Sequence, residues 1–170
     1  MMAPEKHASA PSDFDFVIGN WGVKHRRLKE RLAHCQEWIE FDGEMSTRKI
    51  LGGFGNVEDN ILRFPDGEFR AIALRSYDPS TKKWSIWWLD GRFPDRIDVP
   101  VVGGFKDGVG TFFAKDTYAG KPITVRFLWS KIGPDELHWD QAFSNDGGTT
   151  WETNWTMSFH RNECELSPIS

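Results

Sequence analysis

His25, Arg27, Arg75 and Asp90 are the residues of this chain whose types and spacing admit chemistry. A histidine and a carboxylate can exchange protons with a bound molecule, and an arginine can hold negative charge as it develops. His25 and Asp90 as acid and base, with Arg75 as the charge stabiliser, would therefore suit a cofactor-independent isomerisation, cyclisation, hydration or elimination of a hydrophobic substrate. Without any reaction, Arg27 or Arg75 would fix a carboxylate, phenolate or carbonyl of a bound molecule. A third outcome stands beside these two: a buried Arg and Asp can satisfy each other and touch no ligand.

Other chemistries find little footing. His7, His25, His34, His138 and His160 show no metal-ligand spacing, and Cys35 and Cys164 each stand alone, so reduced structural thiols and no metal are expected. No G-x-S-x-G elbow is present. The glycine-rich stretch from Gly52 to Asn60 lacks the Lys-Ser/Thr of a phosphate loop and reads as a lip at the mouth of a pocket, with Asn60 reaching inward and Glu58 facing water. Haem would need an inward histidine, and the candidates His138 and His160 fall on the outward parity of their strands; no cofactor is expected. Ser144 to Trp151 matches an Asp-box hairpin, but it occurs once, so Asp146 is expected to pin its own turn while Trp151 packs beneath.

The elements that would position these groups are short strands. Turn signals recur at Asp42-Gly43, Asp66-Gly67, Asp78-Pro79, Asp107-Gly108, Gly133-Pro134-Asp135 and Asp146-Gly147-Gly148. Between them lie Trp21 to Leu28, Cys35 to Phe41, Asn60 to Phe64, Phe69 to Tyr77, Trp84 to Asp90, Gly110 to Ala114, Ile123 to Ser130, Leu137 to Ser144 and Thr153 to His160, with a tenth near Met45 to Leu51. Helical periodicity is confined to one short turn at Asp13 to Ile18. About ten twisted strands without crossovers predict an all-β, single antiparallel up-and-down β-barrel, because closure removes exposed edges. Nine Trp and thirteen Phe suit the same class, since large rings pack well on pleated sheets.

Alternation by two then assigns faces. Trp21, Val23, His25 and Arg27 share one face; so do Trp84, Ile86, Trp88 and Asp90; Leu137, Trp139, Gln141 and Phe143; and Trp155, Met157 and Phe159. Phe69 to Tyr77 is ambiguous, and the favoured choice sends Phe69, Ala71, Ala73, Arg75 and Tyr77 inward. The expected ligand-binding set is His25, Arg27, Trp38, Asn60, Arg75, Tyr77, Trp88, Asp90, Trp139, Gln141 and Trp155, an aromatic cup with a polar minority. The segment from Pro94 to Pro100 reads as a second mouth loop able to act as a lid.

Gly19-Asn20-Trp21 resembles the G-x-W signature of lipocalins, in which a cation, here Arg161, lies across the Trp ring. More broadly, residues 13–161 resemble a family of small bacterial lipocalin-like, calycin-type β-barrels. That resemblance is carried by Phe16 to Trp21, His25 to Leu28, Trp38 with Phe41, and Asp78-Pro79 followed by Trp84 to Asp90. It implies the fold and an internal cavity and supplies no reaction. The domain plan is a leader over 1–12, the barrel over 13–161 and a tail over 162–170.

Balanced charge, net −4 and spread along the chain, predicts no nucleic-acid partner. No apolar run approaches the roughly 20 residues that span a bilayer, so a cytoplasmic protein with no membrane partner is expected. The partner is then a small hydrophobic or aromatic molecule, and an outward Trp87 leaves a homodimer open as an alternative use of the surface.

Overall fold

The computed structural model describes residues 9–162. A single 3₁₀ turn, Asp15–Val17, leads into ten strands: β1 Gly19–Leu28, β2 Trp38–Ile50, β3 Gly55–Phe64, β4 Gly67–Asp78, β5 Lys83–Asp90, β6 Val101–Lys106, β7 Val109–Tyr118, β8 Lys121–Ser130, β9 Glu136–Ser144 and β10 Glu152–Arg161. Each pairs antiparallel with its sequence neighbour, and β1 pairs with β10 to close the barrel. The expected all-β antiparallel barrel of ten strands is the observed architecture. Among the described residues, no helix is long and apolar enough to cross a membrane.

The count of ten is reached by a different route from the one the turn signals suggest. Asp42-Gly43 is no turn: it lies within β2, which runs unbroken from Trp38 to Ile50 and so takes in most of the two segments expected at Cys35 to Phe41 and Met45 to Leu51. Gly43 is there because of close approach. A Cβ at this position would come within 2.5 Å of the Ile61 carbonyl oxygen and 2.9 Å of His25 Nε2. The strand β6 has no counterpart in the sequence reading, because its Val-Val-Gly-Gly-Phe-Lys stretch is short and broken by glycine.

One end of the barrel is plugged. Phe14, just ahead of the 3₁₀ turn, meets Trp84 and Phe105 edge-on at 4.9 and 4.8 Å between ring centroids. Trp21 is fully buried and donates its indole N–H to the Val17 carbonyl at 3.0 Å. Arg161 lies over the Trp21 ring at 4.2 Å and donates to the Ile18 and Pro134 carbonyls, both at 2.9 Å. The expected cation on the G-x-W tryptophan is thus in place, tying the last strand to the first. The turn Leu51–Gly53 sits at this plugged end, near Phe14 and Asp15, so Gly52 to Asn60 is not a mouth lip as expected. The connections at the open end are the long ones, 29–37 and 91–100. The hairpin between β9 and β10 is held as anticipated, Asp146 accepting from the Thr150 backbone N–H at 2.9 Å and Trp151 donating to the Gly148 carbonyl at 3.1 Å.

Candidate functional site

The inward faces of the strands enclose a cavity of about 740 Å³ that opens at the end away from the 3₁₀ turn. Its shape follows from where the large rings stand. Trp155 on β10 meets Trp88 of β5 at 5.9 Å and Trp139 of β9 at 5.7 Å, both edge-to-face, and Phe127 of β8 meets Trp139 at 4.9 Å. Edge-to-face rings present both faces and edges to the interior, a surface suited to a flat apolar molecule. Small residues opposite leave the room: Ala73 and Val125 line the same space. The favoured parity for β4 holds, with Ala71, Ala73 and Arg75 buried inside.

Arg75 occupies the deep end, only 2% exposed. It forms a buried ion pair with Glu58 and donates to Asn56 Oδ1 at 2.8 Å, while Asn60 donates to the other Glu58 oxygen at 3.0 Å. Its guanidinium also lies 5.0 Å from the Phe14 ring and 5.4 Å from the Trp129 ring. Glu58 therefore does not face water; the expectation fails because β3 runs Asn56, Glu58, Asn60 with a period of two, placing all three inside. A charge there is tolerable only because Arg75 arrives from the neighbouring strand.

The open end carries a second polar group. Arg27 of β1 and Arg31 of the following loop line the cavity, as do Asp90, Arg92, Asp95, Arg96 and Asp98 along the edge where β5 runs into the 91–100 loop. Asp90 is gripped by Arg92, whose Nη2 and Nε donate at 2.7 and 3.1 Å. Arg27 stacks over Trp155 at 4.9 Å. Burial draws the Arg27 pKa down to about 10, and the neighbouring cations of Arg31 and Arg92 add to that. The loop behaves as the expected mouth element: Phe93, Ile97 and Val99 line the cavity while remaining about half exposed.

Of the residues anticipated from sequence, Arg27, Arg75, Trp88, Asp90, Trp139, Gln141 and Trp155 line the cavity. Four do not. Trp38 lies on the outside under the Arg26 guanidinium, 4.8 Å away, because β2 keeps Phe41 inward and three residues reverse the face. Tyr77 lies against Trp84 at 5.3 Å, near the plugged end. Asn60 is inside but committed to Glu58. His25 is inside and 3% exposed, yet it sits behind the wall rather than in it. Its ring stacks on Phe41 at 4.5 Å, and its Nδ1 accepts the Trp155 indole N–H at 3.1 Å. Burial draws the His25 pKa to about 3, against an opposing pull from Asp42 and with a smaller push in the same direction from Arg27.

The expected catalytic trio is not assembled as a proton relay. His25 is neutral with its basic nitrogen engaged, Asp90 is spent on Arg92, and Arg75 is spent on Glu58 at the other end. Sequence reasoning missed Glu58, Arg31, Arg92 and the acids of the mouth loop. The alternating polar residues Asn56, Glu58 and Asn60 were a usable signal for Glu58; Arg31 and Arg92 lie outside strands, where parity says nothing. His138 and His160 point outward beside Asp140 and Glu136, each at 3.7 Å. His7 and Cys164 lie outside the described residues, and Cys35 is a free thiol. Among the described residues, no group of three or more His, Cys, Asp or Glu is gathered as a metal site would require.

No family model matches the chain, and no curated protein matches it. Among solved structures it is similar to an S-type phycobiliprotein lyase from Guillardia theta, at 10% sequence identity and a TM-score of 0.58, covering 89% of this chain and 92% of that one. At this identity the likeness speaks to fold. Near-complete coverage of both chains, together with the closed ten-strand topology and the capped Trp21, makes the fold a lipocalin-like, calycin-type β-barrel.

Proposed function

We propose that this barrel binds a small, largely apolar or aromatic molecule in its cavity, with arginine as the polar anchor. The observation that carries the reading is the 740 Å³ cavity walled by Trp88, Trp139 and Trp155 and reached from one end only. Pockets for small molecules combine such apolar walls with a few charged or hydrogen-bonding groups. A barrel of the same fold described as a phycobiliprotein lyase is in keeping with a cavity that handles a pigment-like molecule. An acid/base reaction draws less support, because the three residues suited to it are each engaged elsewhere.

The test is a titration with N-phenyl-1-naphthylamine, a neutral apolar fluorophore, followed by its emission and by quenching of the cavity tryptophans. Saturable binding is expected, and Ala73→Trp, which narrows the cavity from β4 beside Trp88, should weaken it severalfold while the barrel unfolds cooperatively as before. Native mass spectrometry of the protein from its own cells should show a bound mass in the small-molecule range. Binding of unchanged affinity in the narrowed cavity, without quenching of the cavity tryptophans, would place the site elsewhere and overturn the reading.

A further inference from the structure

Arg27 and Arg31, at the open end, differ from the other cations that line the cavity. Arg75 is neutralised by Glu58, and Arg92 by Asp90; Arg96 of the mouth loop has no ion pair among the described residues, but it is exposed to solvent and lies over Phe93 of its own loop at 4.9 Å. Arg27 and Arg31 have no ion pair among the described residues, and no hydrogen-bond acceptor meets either guanidinium. Each is backed by an aromatic ring, Arg27 by Trp155 at 4.9 Å and Arg31 by Phe143 at 5.6 Å, so each is held in place on one face. Burial disfavours the charged form of both, and the two repel each other. Asp98 approaches Arg31 from the mouth loop without pairing with it. Two fixed, partly desolvated guanidiniums with unused donors, converging on the rim of an apolar cavity, form an arrangement that a planar oxyanion would complete.

We propose that Arg27 and Arg31 form a carboxylate clamp, so that the ligand is an amphipathic aromatic or apolar acid bound with its apolar body inward and its carboxylate at the mouth. The proposal rests on the cavity-binding reading above and fixes the ligand class and its direction. The deep arginine is excluded as the anchor because Glu58 already holds it, and a second carboxylate there would face the first.

Matched probes separate the clamp from the cavity: 1-pyrenebutyric acid and its methyl ester, titrated into wild type, Arg27→Gln and Arg31→Gln. Both probes should bind wild type, the acid more tightly by about tenfold to a hundredfold, the usual worth of hydrogen bonds to a charged group. Arg27→Gln should bring the acid down to the level of the ester measured on the same variant, and Arg31→Gln should remove part of the preference. The acid's advantage should also shrink at high salt. Equal affinity of acid and ester for wild type, or an acid preference that survives both variants, overturns the clamp and leaves the cavity reading standing. Failure of both probes to bind a cooperatively folded wild type overturns the two together. Cooperative denaturant unfolding of each variant serves as the check that it keeps its fold.

Discussion

His25 offers a prediction that can be worked through from geometry. The Trp155 indole N–H is a donor only, so the Nδ1 it points at must be unprotonated, and the imidazole proton sits on Nε2. Protonating the ring would set two donors against each other inside the barrel wall. An ordinary histidine titrates near 6.5, whereas this one is drawn to about 3. The unfolded chain therefore takes up the proton first as the pH falls, and stability drops through the window between those two values. At about pH 4.5 the unfolded state is favoured over the position at neutral pH by about 2.7 kcal/mol, two pKa units at about 1.36 kcal/mol each. For a domain of this size that is a fall of about 5–10 °C in melting temperature. The control is His25→Gln, which keeps an acceptor for Trp155 and cannot titrate in this range. Denaturant unfolding of both proteins at about pH 7.5 and 4.5 isolates the histidine from carboxylates, which act equally in the two. If wild type and variant lose stability in parallel, or if the ring of His25 titrates by NMR near its ordinary value, the reasoning is wrong.

Gly43→Ala should destabilise the barrel by about 1–3 kcal/mol in chemical denaturation, because the new methyl would press on the Ile61 carbonyl and the His25 ring. Arg161→Ala should cost about 2 kcal/mol, through loss of the stacking on Trp21 and of the bonds to Ile18 and Pro134, while binding of an apolar probe at the far end of the barrel stays unchanged. Glu58→Gln should cost about 3–5 kcal/mol by stranding Arg75, and the double change Glu58→Leu with Arg75→Met should recover most of it, measured by the same unfolding curves.

The sequence by itself determined the architecture and much of the cavity wall. Short segments with turn residues between them leave an antiparallel meander as the economical fold, and alternation by two sends Arg27, Trp88, Asp90, Trp139, Gln141 and Trp155 to one side whatever the details of pairing. Where a local rule had a second cause, the sequence misled. Asp42-Gly43 has the composition of a turn, but its glycine makes room for His25 from the adjacent strand, a reason that exists only once β1 and β2 are in register. Trp38 lost its place because it stands three residues from the inward Phe41, an odd offset that puts it on the opposite face of β2. What only the tertiary structure decided is how the polar groups are shared out. Arg75 and Glu58 are 17 residues apart, and His25 and Trp155 are 130 apart; each meets its partner only because neighbouring strands bring them together. Pairing of this kind depends on distance and burial in three dimensions, which no spacing along the chain encodes. It engaged three residues suited to chemistry with partners inside the protein and left Arg27 and Arg31 as the ring-backed cations at the mouth without an ion pair among the described residues.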